Sequence, residues 1–374
     1  MGRRLPSRTR AGAPASRRRS PTCGRWRRDC PAPASTRLRT PSSRRLARWS
    51  GPMDERLPLI VVTGFLGSGK TTLIRRFVET PEGADSGIVV NEFGEAGVDH
   101  RLLVHASEAV ELIDGGCLCC ARRADVAKAL HDLVRMAKTK GGFSRAILET
   151  SGLADPAPVI ATLARDPWLK AHVRLASVVA VVDAVAGIGN LERRPEARRQ
   201  VAIADTVVLT KGDLRAAQPR AALEAAIRAV SPDARILDSQ DENFRPRDVL
   251  GGTESFAAPP SPFLADAPEH EADVASFTLP LDGRVDWPAF TVWLSALLHA
   301  HGDRILRVKG LLRTTSSDQP LAIHGVQHVM HPPTHLSGAE AGPSFLVFIA
   351  SGIRKAEIER SLGRALRHLT MASA

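Results

Sequence analysis

The sequence predicts an α/β fold in which a doubly wound, mostly parallel sheet is followed by a second, smaller α+β domain. Short apolar runs, typical of buried parallel strands, alternate with helical patterns between residues 57 and 210. A glycine-rich loop follows the first of these runs and precedes a helical pattern. Beyond residue 273 the patterns follow the order β-α-β-β-β-α, which suggests helices on one face of an antiparallel sheet.

The elements of the first domain are predicted from apolar runs and their spacing. Leu57–Thr63 reads LPLIVVT, a β-branched run of the kind that forms a strand buried on both faces. In Ala124–Lys138 the apolar side chains recur at helical spacing, which predicts an amphipathic helix. The other predicted elements are a helix at Thr71–Glu79 and strands at Gly87–Val90, Ala146–Glu149, Ser177–Asp183 and Thr206–Thr210.

Residues 240–272 are rich in Pro, Gly and acidic side chains and have weak periodicity, which predicts a linker. It would join a first domain of residues 53–239 to a second of residues 273–374. The predicted elements of the second domain are strands at Val274–Leu281, Ile305–Leu312, Leu321–Val329 and Ser344–Ala350 and helices at Trp287–His299 and Lys355–Leu369.

The charge of the chain is distributed very unevenly. The 374 residues carry a formal net charge of +11, which by itself would suggest a nucleic-acid or acidic-membrane partner. Residues 1–52, however, hold 15 Arg and one acidic residue, and the rest of the chain is net −3. The folded part therefore gives no support for nucleic-acid binding, and no apolar run is long enough to span a membrane.

The Arg-, Pro- and Ser-rich leader of residues 1–52 is expected to be disordered, because it has too little apolar surface to offset its ordering entropy. We favour a mis-assigned start upstream of Met53. A nucleic-acid arm would usually mix Lys with Arg, and the prolines break the amphipathic helix of a transit peptide. A secretory signal would need an apolar core that the leader lacks.

The segment Gly64–Thr71 matches the phosphate-loop pattern G-x-x-x-x-G-K-[ST], between a predicted strand and a predicted helix. The glycines allow backbone N–H groups to point at phosphate oxygens, Lys70 would reach the terminal phosphates, and the Thr71 hydroxyl would ligate Mg²⁺. The pattern predicts binding of a nucleoside triphosphate. The residues expected at the phosphates are Gly64, Gly67, Ser68, Gly69, Lys70, Thr71 and Thr72.

Two strand ends are expected to complete the nucleotide site. The run Thr206–Asp213 ends in Thr-Lys-Gly-Asp, similar to the guanine-reading motif of GTPases, so Lys211 would cover the base and Asp213 would accept its donors. An ATP-dependent kinase is the alternative. Glu149, before Thr-Ser-Gly, is placed to hold the Mg²⁺ shell and completes the catalytic set of Lys70, Thr71 and Glu149. An alternative for this segment is a helix N-cap at Ser151.

Outside the leader the chain has three cysteines, Cys117, Cys119 and Cys120, all in the segment GGCLCC. Arg122, Arg123 and a predicted helix N-terminus nearby favour thiolates. Three thiolates suit Zn²⁺ first and Co²⁺ second, with a fourth position open. A packing or redox loop is the alternative.

Together these segments resemble the CobW family of metallochaperone GTPases. The resemblance covers nearly all of the chain from Leu57 to Leu369, and it depends on TGFLGSGKTTL, NEFGEAGVD, GGCLCC and ETSGLADP, which begin at Thr63, Asn91, Gly115 and Glu149. It implies a P-loop GTPase domain, a smaller C-terminal domain and GTP-dependent delivery of a metal to a client metalloprotein. It further implies a switch segment at Asn91–Glu95, in which Glu92 or Glu95 contributes an oxygen to the metal or to the Mg²⁺ shell.

The resemblance leaves the client, the choice of metal and the oligomeric state open. Turnover is expected to be slow without a partner, since no arginine finger is evident. Free thiolates and the lack of a signal peptide indicate the cytoplasm. The rival hypothesis is a metal-sensing regulator whose GTP state controls partner binding without metal transfer.

The chain departs from many relatives in its histidines. The predicted linker carries only His270, so metal loading by a His-rich linker is not expected. A denser cluster comprises His324, His328, His331 and His335. In a continuous strand His324 and His328 would share a face and His331 would point away. We favour structural or partner-contact roles for this cluster over a second metal site.

Overall fold

The computed structural model describes residues 54–90, 102–104, 123–139, 142–214, 220–251, 274–336 and 343–372. The elements of the first domain are β1 (Leu57–Thr63), α1 (Lys70–Val78), β2 (Ser86–Val90), β3 (Leu102–Val104), α2 (Arg123–Ala137), β4 (Arg145–Glu149), α3 (Ala157–Arg165), α4 (Pro167–His172), β5 (Val173–Asp183), α5 (Gly187–Arg193), α6 (Pro195–Ile203), β6 (Thr206–Thr210), α7 (Arg220–Val230), β7 (Arg235–Asp238) and α8 (Arg247–Leu250). Those of the second domain are β8 (Ala275–Leu281), α9 (Trp287–His301), β9 (Ile305–Leu312), β10 (Leu321–Val326), β11 (Val329–Met330), β12 (Thr334–His335), β13 (Ser344–Ala350) and α10 (Lys355–Ala372).

The first sheet has the strand order β3-β2-β4-β1-β5-β6-β7, and every pairing except the antiparallel β2–β3 pair is parallel. Both faces of β1 are buried: Leu59 and Val61 belong to one apolar cluster, and Ile60 and Val62 belong to the cluster on the opposite face. The doubly wound, mostly parallel sheet predicted from the sequence is confirmed. In this order the carboxyl ends of β4, β1, β5 and β6 lie side by side at one edge, where such sheets bind ligands.

The second sheet is antiparallel, with the order β11-β10-β9-β13-β8 and β12 paired to β10. Residues of α9 and α10, such as Phe290 and Ile358, share one cluster with Phe277 and Phe348 of the sheet. Leu306, on β9, instead belongs to the main cluster of the first domain. Helices therefore cover one face of this sheet, as predicted for an α+β domain, and the first domain covers part of the other.

Several boundaries differ from the prediction. The predicted linker begins too early, because Phe244, Val249 and Leu250 are buried in the core beside α1. These residues follow the short strand β7, which the sequence analysis missed together with β3. The strand predicted at Leu321–Val329 is wrong as a single element: it ends at Val326, and Gln327 adopts a φ of 52° before β11. The remaining linker residues lie outside the described part of the chain.

Arg307 is a charged side chain buried where the two domains meet, with only 1% of its surface exposed. It reaches from β9 to the loop before β6, where its guanidinium donates to Asp205 Oδ1 at 2.9 Å and to the carbonyl oxygen of Ala204. It also lies 3.6 Å from Asp233 Oδ2. Burial is the largest single influence and opposes ionisation of Asp205, but the neighbouring basic groups, Arg307 first among them, together outweigh it, so the pKa of Asp205 lies far below its ordinary value.

Two further side chains of the second domain complete this arrangement. The Lys309 ammonium lies 2.8 Å from Asp233 Oδ2, and His324 Nε2 lies 3.0 Å from Asp205 Oδ1. Burial lowers the pKa of His324 despite the attraction of Asp205, so the ring is neutral at pH 7. We call Asp205, Asp233, Arg307, Lys309 and His324 the interdomain ionic cluster.

Among the described residues, no helix is long and apolar enough to cross a membrane.

Candidate nucleotide and metal site

The loop between β1 and α1 has the backbone that a phosphate loop requires. Gly64, Gly67 and Gly69 adopt φ angles of 139°, 72° and 96°, in the left-handed region that favours glycine. A Cβ added at Gly64 would lie 2.2 Å from the carbonyl oxygen of Val181 on β5. The loop is therefore pressed against the sheet, and the first turn of α1 starts at Lys70 with its N–H groups directed toward the loop.

Lys70 and Ser68 lie within this loop. Lys70 is 7% exposed, and its ammonium donates to the carbonyl oxygen of Gly64 at 2.9 Å, so it spans the mouth of the loop. Ser68 is buried, with 2% of its surface exposed. The sequence-predicted Thr72 is exposed on the first turn of α1.

Thr71 and Glu149 come together from two different elements. The Thr71 hydroxyl, on the first turn of α1, donates to Glu149 Oε1 at 2.8 Å. Glu149 ends β4 and is only 3% exposed. A hydroxyl and a buried carboxylate beside a phosphate loop are the oxygen donors that a magnesium–nucleotide complex takes from a P-loop protein, so these residues fit Mg²⁺.

The segment after Glu149 is packed on the phosphate loop. The Gln200 amide, from α6, donates to the carbonyl oxygens of Gly152 and Ala154 at 3.1 Å each. A Cβ at Gly152 would lie 2.7 Å from the backbone nitrogen of Leu66. Sequence reasoning assigned no role to Gln200, because its partners are 46 and 48 residues away in the chain.

The N-cap alternative for Ser151 is wrong. Helix α3 begins at Ala157 with Pro156 in the N-cap position, and Asp155 Oδ1 accepts the N–H of Ala157 at 2.9 Å. Ser151 is buried and lies before this turn, at the edge of the sheet where Glu149 ends β4.

The residues of the predicted guanine-reading motif lie on the side of the phosphate loop opposite Glu149. The Thr210 hydroxyl donates to the carbonyl oxygen of Ser68 at 2.6 Å. Its side chain thus ties the end of β6 to the phosphate loop. Lys211 follows in the left-handed conformation, with a φ of 57°. Asp213 is exposed in a 3₁₀ turn at Gly212–Leu214.

Asp183, at the end of β5, fixes the direction of Lys211. The Lys211 ammonium lies 2.7 Å from Asp183 Oδ2. Burial would raise the pKa of Asp183, but hydrogen bonds from Lys211 and from the N–H groups of Val185 and Ala186 lower it below its ordinary value. Asp183 is therefore a carboxylate at neutral pH, and it holds the lysine stem beside the place expected for the base.

The predicted metal ligands Cys117, Cys119, Cys120, Glu92 and Glu95 lie outside the described residues. Val90, the residue before Asn91, pairs with Glu149 in the sheet register, and α2 begins at Arg123. The described chain before the predicted switch segment therefore ends beside Glu149. Within the described ranges, no group of three or more His, Cys, Asp and Glu side chains is arranged to hold a metal.

The predicted arrangement of the histidine cluster is wrong. His324 and His331 stack with ring centroids 4.4 Å apart, whereas His328 lies on the turn between β10 and β11 and contacts Asp303 at 3.1 Å. The positive φ at Gln327 reverses the chain, so the alternation of a continuous strand no longer applies. His335 is exposed on β12.

Comparison with known proteins agrees with this geometry. Residues 58–238 match the family model of the CobW/HypB/UreG nucleotide-binding domain, and residues 274–366 match the CobW C-terminal domain. The chain is 30% identical over 314 residues to the zinc chaperone YjiA of Escherichia coli, covering 81% of this chain and 96% of that protein. It is also 30% identical over 350 residues to the zinc chaperone CobW of Pseudomonas aeruginosa, covering 83% and 92%.

Among solved structures, the Zn(II)-bound YjiA GTPase from E. coli superposes with a TM-score of 0.59 at 28% identity. The match covers 83% of this chain and 99% of that one. The two matched models follow each other in the same order as the two domains of the structure. The chain belongs to the CobW family of nucleotide-binding proteins, within the wider CobW/HypB/UreG group.

Proposed function

We propose that this chain binds and hydrolyses GTP and uses the nucleotide cycle to deliver Zn²⁺ to a client metalloprotein. The observation that carries the proposal is the 2.8 Å contact between the Thr71 hydroxyl and Glu149, beside the glycine-rich loop. It brings a phosphate loop and a buried strand-end carboxylate together, as nucleotide hydrolysis by P-loop proteins requires. The chain matches relatives named as GTPases and zinc chaperones over nearly their whole length, and this similarity supports the same function.

In this proposal the residues of the loop provide charge and direction for the phosphates. Backbone N–H groups of Gly67 and Gly69 and the ammonium of Lys70 stabilise the negative charge that develops on the phosphate oxygens. Lys70 would exchange its contact with the Gly64 carbonyl for a phosphate oxygen. Bound Mg²⁺ would neutralise phosphate charge, held by the Thr71 hydroxyl and by Glu149 or its water. We expect turnover to stay slow until a partner binds.

The guanine preference is assigned to Lys211 and Asp213. The Asp183 contact directs the aliphatic stem of Lys211 across the base position, and the exposed Asp213 carboxylate is free to accept the N1–H and 2-amino donors of guanine. Adenine has no such pair of donors on this edge. We therefore propose GTP rather than ATP as the substrate.

Zn²⁺ is assigned as cargo to Cys117, Cys119 and Cys120, with Glu92 as a candidate oxygen ligand and Co²⁺ as the alternative metal. The support is the Val90–Glu149 register, which starts the predicted switch segment beside the Mg²⁺-binding carboxylate. A nucleotide-dependent shift of this segment would then reach the cysteines. The need for free thiolates supports a cytoplasmic location.

Nucleotide choice is tested by equilibrium binding of fluorescent GTP and ATP analogues to the native chain and to Asp213→Ala. The proposal predicts that the native chain prefers GTP and that Asp213→Ala loses the preference by weakening GTP binding. Asp318→Ala, which removes an exposed carboxylate of the second domain, is the matched control and should bind as the native chain does. An unchanged GTP preference in Asp213→Ala would contradict the assignment.

Metal delivery is tested by the release of bound Zn²⁺ to a chromogenic chelator in the GTP state and after hydrolysis. Cys119→Ser should lower the zinc stoichiometry, whereas Cys23→Ser, in the leader, should leave it unchanged. The proposal predicts faster release after hydrolysis. Identical release in both states would contradict delivery and favour a metal-sensing regulator that binds a partner without transfer.

A further inference from the structure

A cleft of about 500 Å³ lies between the first and second domains, away from the nucleotide site. One wall is built from the end of α3, from α4 and from the first residues of β5, and the other from α9 and the turn between β10 and β11. We call it the interdomain cleft. Its volume is in the range of sites that enclose a small molecule or a short peptide segment.

The lining of the cleft is cationic. Arg56, Arg165, Lys170 and Arg174 contribute to it together with three histidines, and no Asp or Glu is among the lining residues that the structure describes. Carboxylates next to the lining balance two of these charges, Asp54 at Arg56 and Asp303 at Arg165, so Lys170 carries positive charge that the cleft offers to a ligand. A cleft lined by one sign of charge favours ligands of the opposite sign.

Two of the arginines in the lining, Arg165 and Arg56, already have partners within the protein. Arg165 Nη2 donates to Asp303 at 3.1 Å and lies 3.3 Å from His328 Nε2, which joins the two walls. Arg56 contacts Asp54 at 2.6 Å and donates to the carbonyl oxygen of Lys170 at 3.3 Å.

The Lys170 ammonium differs from its neighbours. Within the part of the chain that the structure describes, its side chain makes no hydrogen bond or ion pair, and the residue is exposed on α4. A ligand anion can therefore bind Lys170 without displacing an internal partner. Lys170 adjoins the paired Arg56, whose guanidinium donates to the backbone carbonyl oxygen of Lys170.

Apolar side chains supply much of the remaining lining. Val329 and Met330, which follow the turn, are half-buried, whereas Leu163 and Leu298, on opposite walls, are each 4% exposed. A small inorganic anion would leave Val329 and Met330 uncovered, whereas a peptide can place carboxylates on the cations and an apolar side chain against these two residues.

We propose that the interdomain cleft binds an acidic, partly apolar peptide segment of a partner protein, with its carboxylates on Lys170 and the neighbouring arginines. Because the two walls belong to different domains, the bound segment would contact both domains and stabilise their packing. The proposal stands on the cleft alone and does not depend on the cargo or the nucleotide.

The test is the binding of a fluorescein-labelled peptide in which glutamates alternate with leucines, measured by fluorescence anisotropy with the full chain. We expect the native chain to bind it, a matched peptide with glutamine at every glutamate to bind at least about tenfold more weakly, and affinity to fall with added salt. Lys170→Glu should weaken binding of the acidic peptide by about tenfold or more. Lys128→Glu, which reverses an exposed charge on α2 outside the cleft, should change it less than about twofold.

Lys170→Gln removes the charge without reversing it and should weaken binding by a smaller factor than Lys170→Glu does. It keeps the test valid if Lys170→Glu fails to fold. Equal affinity for the two peptides, or binding that neither Lys170 variant changes, would overturn the proposal. Inorganic phosphate and a single-stranded RNA are assayed with the same variants. If either of these binds in a Lys170-dependent way while the acidic peptide does not, the ligand is a small anion or a nucleic acid, and the proposal is wrong.

Discussion

Replacing Arg307 with Met removes a buried cation and keeps an unbranched side chain in its place. Arg307 is 1% exposed and faces two carboxylates, Asp205 at 2.9 Å and Asp233 at 3.6 Å. The substitution therefore leaves two buried anions with fewer partners. We expect it to destabilise the packing of the second domain on the first.

The size of the effect follows from what the two carboxylates retain. Removing one partner of a buried ion pair costs about 3–5 kcal/mol. Asp233 keeps Lys309 at 2.8 Å, and Asp205 keeps the N–H of Val178 at 2.8 Å. Because these contacts remain, we expect the lower end of the range, about 3 kcal/mol in the free energy of unfolding.

The assay is guanidinium unfolding followed by circular dichroism. Arg247→Met is the matched control, since the Arg247–Glu82 pair is 57% and 44% exposed and solvent screens such pairs so that they add little to stability. In a double-mutant cycle, Asp205→Asn should cost less in the Arg307→Met background than in the native chain. If Arg307→Met destabilises the protein no more than Arg247→Met does, the interdomain ionic cluster does not stabilise the packing of the two domains.

Three further predictions concern the nucleotide site and pH. Glu149→Gln keeps the shape of the side chain but removes its charge, so phosphate release from GTP with Mg²⁺ should fall by about 100-fold or more; a rate within threefold of native would exclude a role for the charge. Thr210→Ala loses the 2.6 Å hydrogen bond to the Ser68 carbonyl, about 1 kcal/mol, and should weaken GTP binding roughly fivefold in calorimetry, whereas unchanged affinity would show that this bond does not order the loop. Because the pKa of His324 is lowered in the folded state, the unfolded chain takes up this proton first, and the thermal midpoint should fall as pH drops below about 6.5. The thermal midpoint should fall further below about pH 4, because Asp205, whose pKa is lowered by folding, becomes protonated there in the unfolded chain. His324→Gln should remove only the first decrease, the one that begins below about pH 6.5.

The features that the sequence predicted well are contiguous in the chain. The phosphate loop requires glycines at fixed positions before Lys70, and the buried strands are predicted by β-branched runs between helical patterns. Local sequence carries this information because the backbone conformation of each segment depends on its own residues. The sheet order then brings Glu149 to the loop, as expected for parallel strands.

Other features depend on contacts between distant segments. The Lys211–Asp183 and Arg307–Asp205 pairs join residues separated by 28 and 102 positions, and neither pairing follows from a motif. The histidine spacing predicts a continuous strand, but Gln327 adopts a left-handed backbone conformation that interrupts it. Such a conformation is expected mainly at Gly, Asn and Asp, so a glutamine gives no indication of it. The acidic, Pro-rich composition after residue 239 predicts a linker, yet Phe244, Val249 and Leu250 are buried there by the packing of α8.

If nucleotide and metal bind to one coupled site, reciprocal titration calorimetry measures the coupling between them. Zn²⁺ affinity is measured with and without a non-hydrolysable GTP analogue and Mg²⁺, and affinity for the analogue is measured with and without Zn²⁺. Linkage requires the two ratios to be equal, and coupling energies of this kind are typically about 1–3 kcal/mol, or roughly five- to 150-fold. We expect equal ratios in this range, and we expect Cys119→Ser to abolish the coupling. Ratios of one in both directions would contradict it.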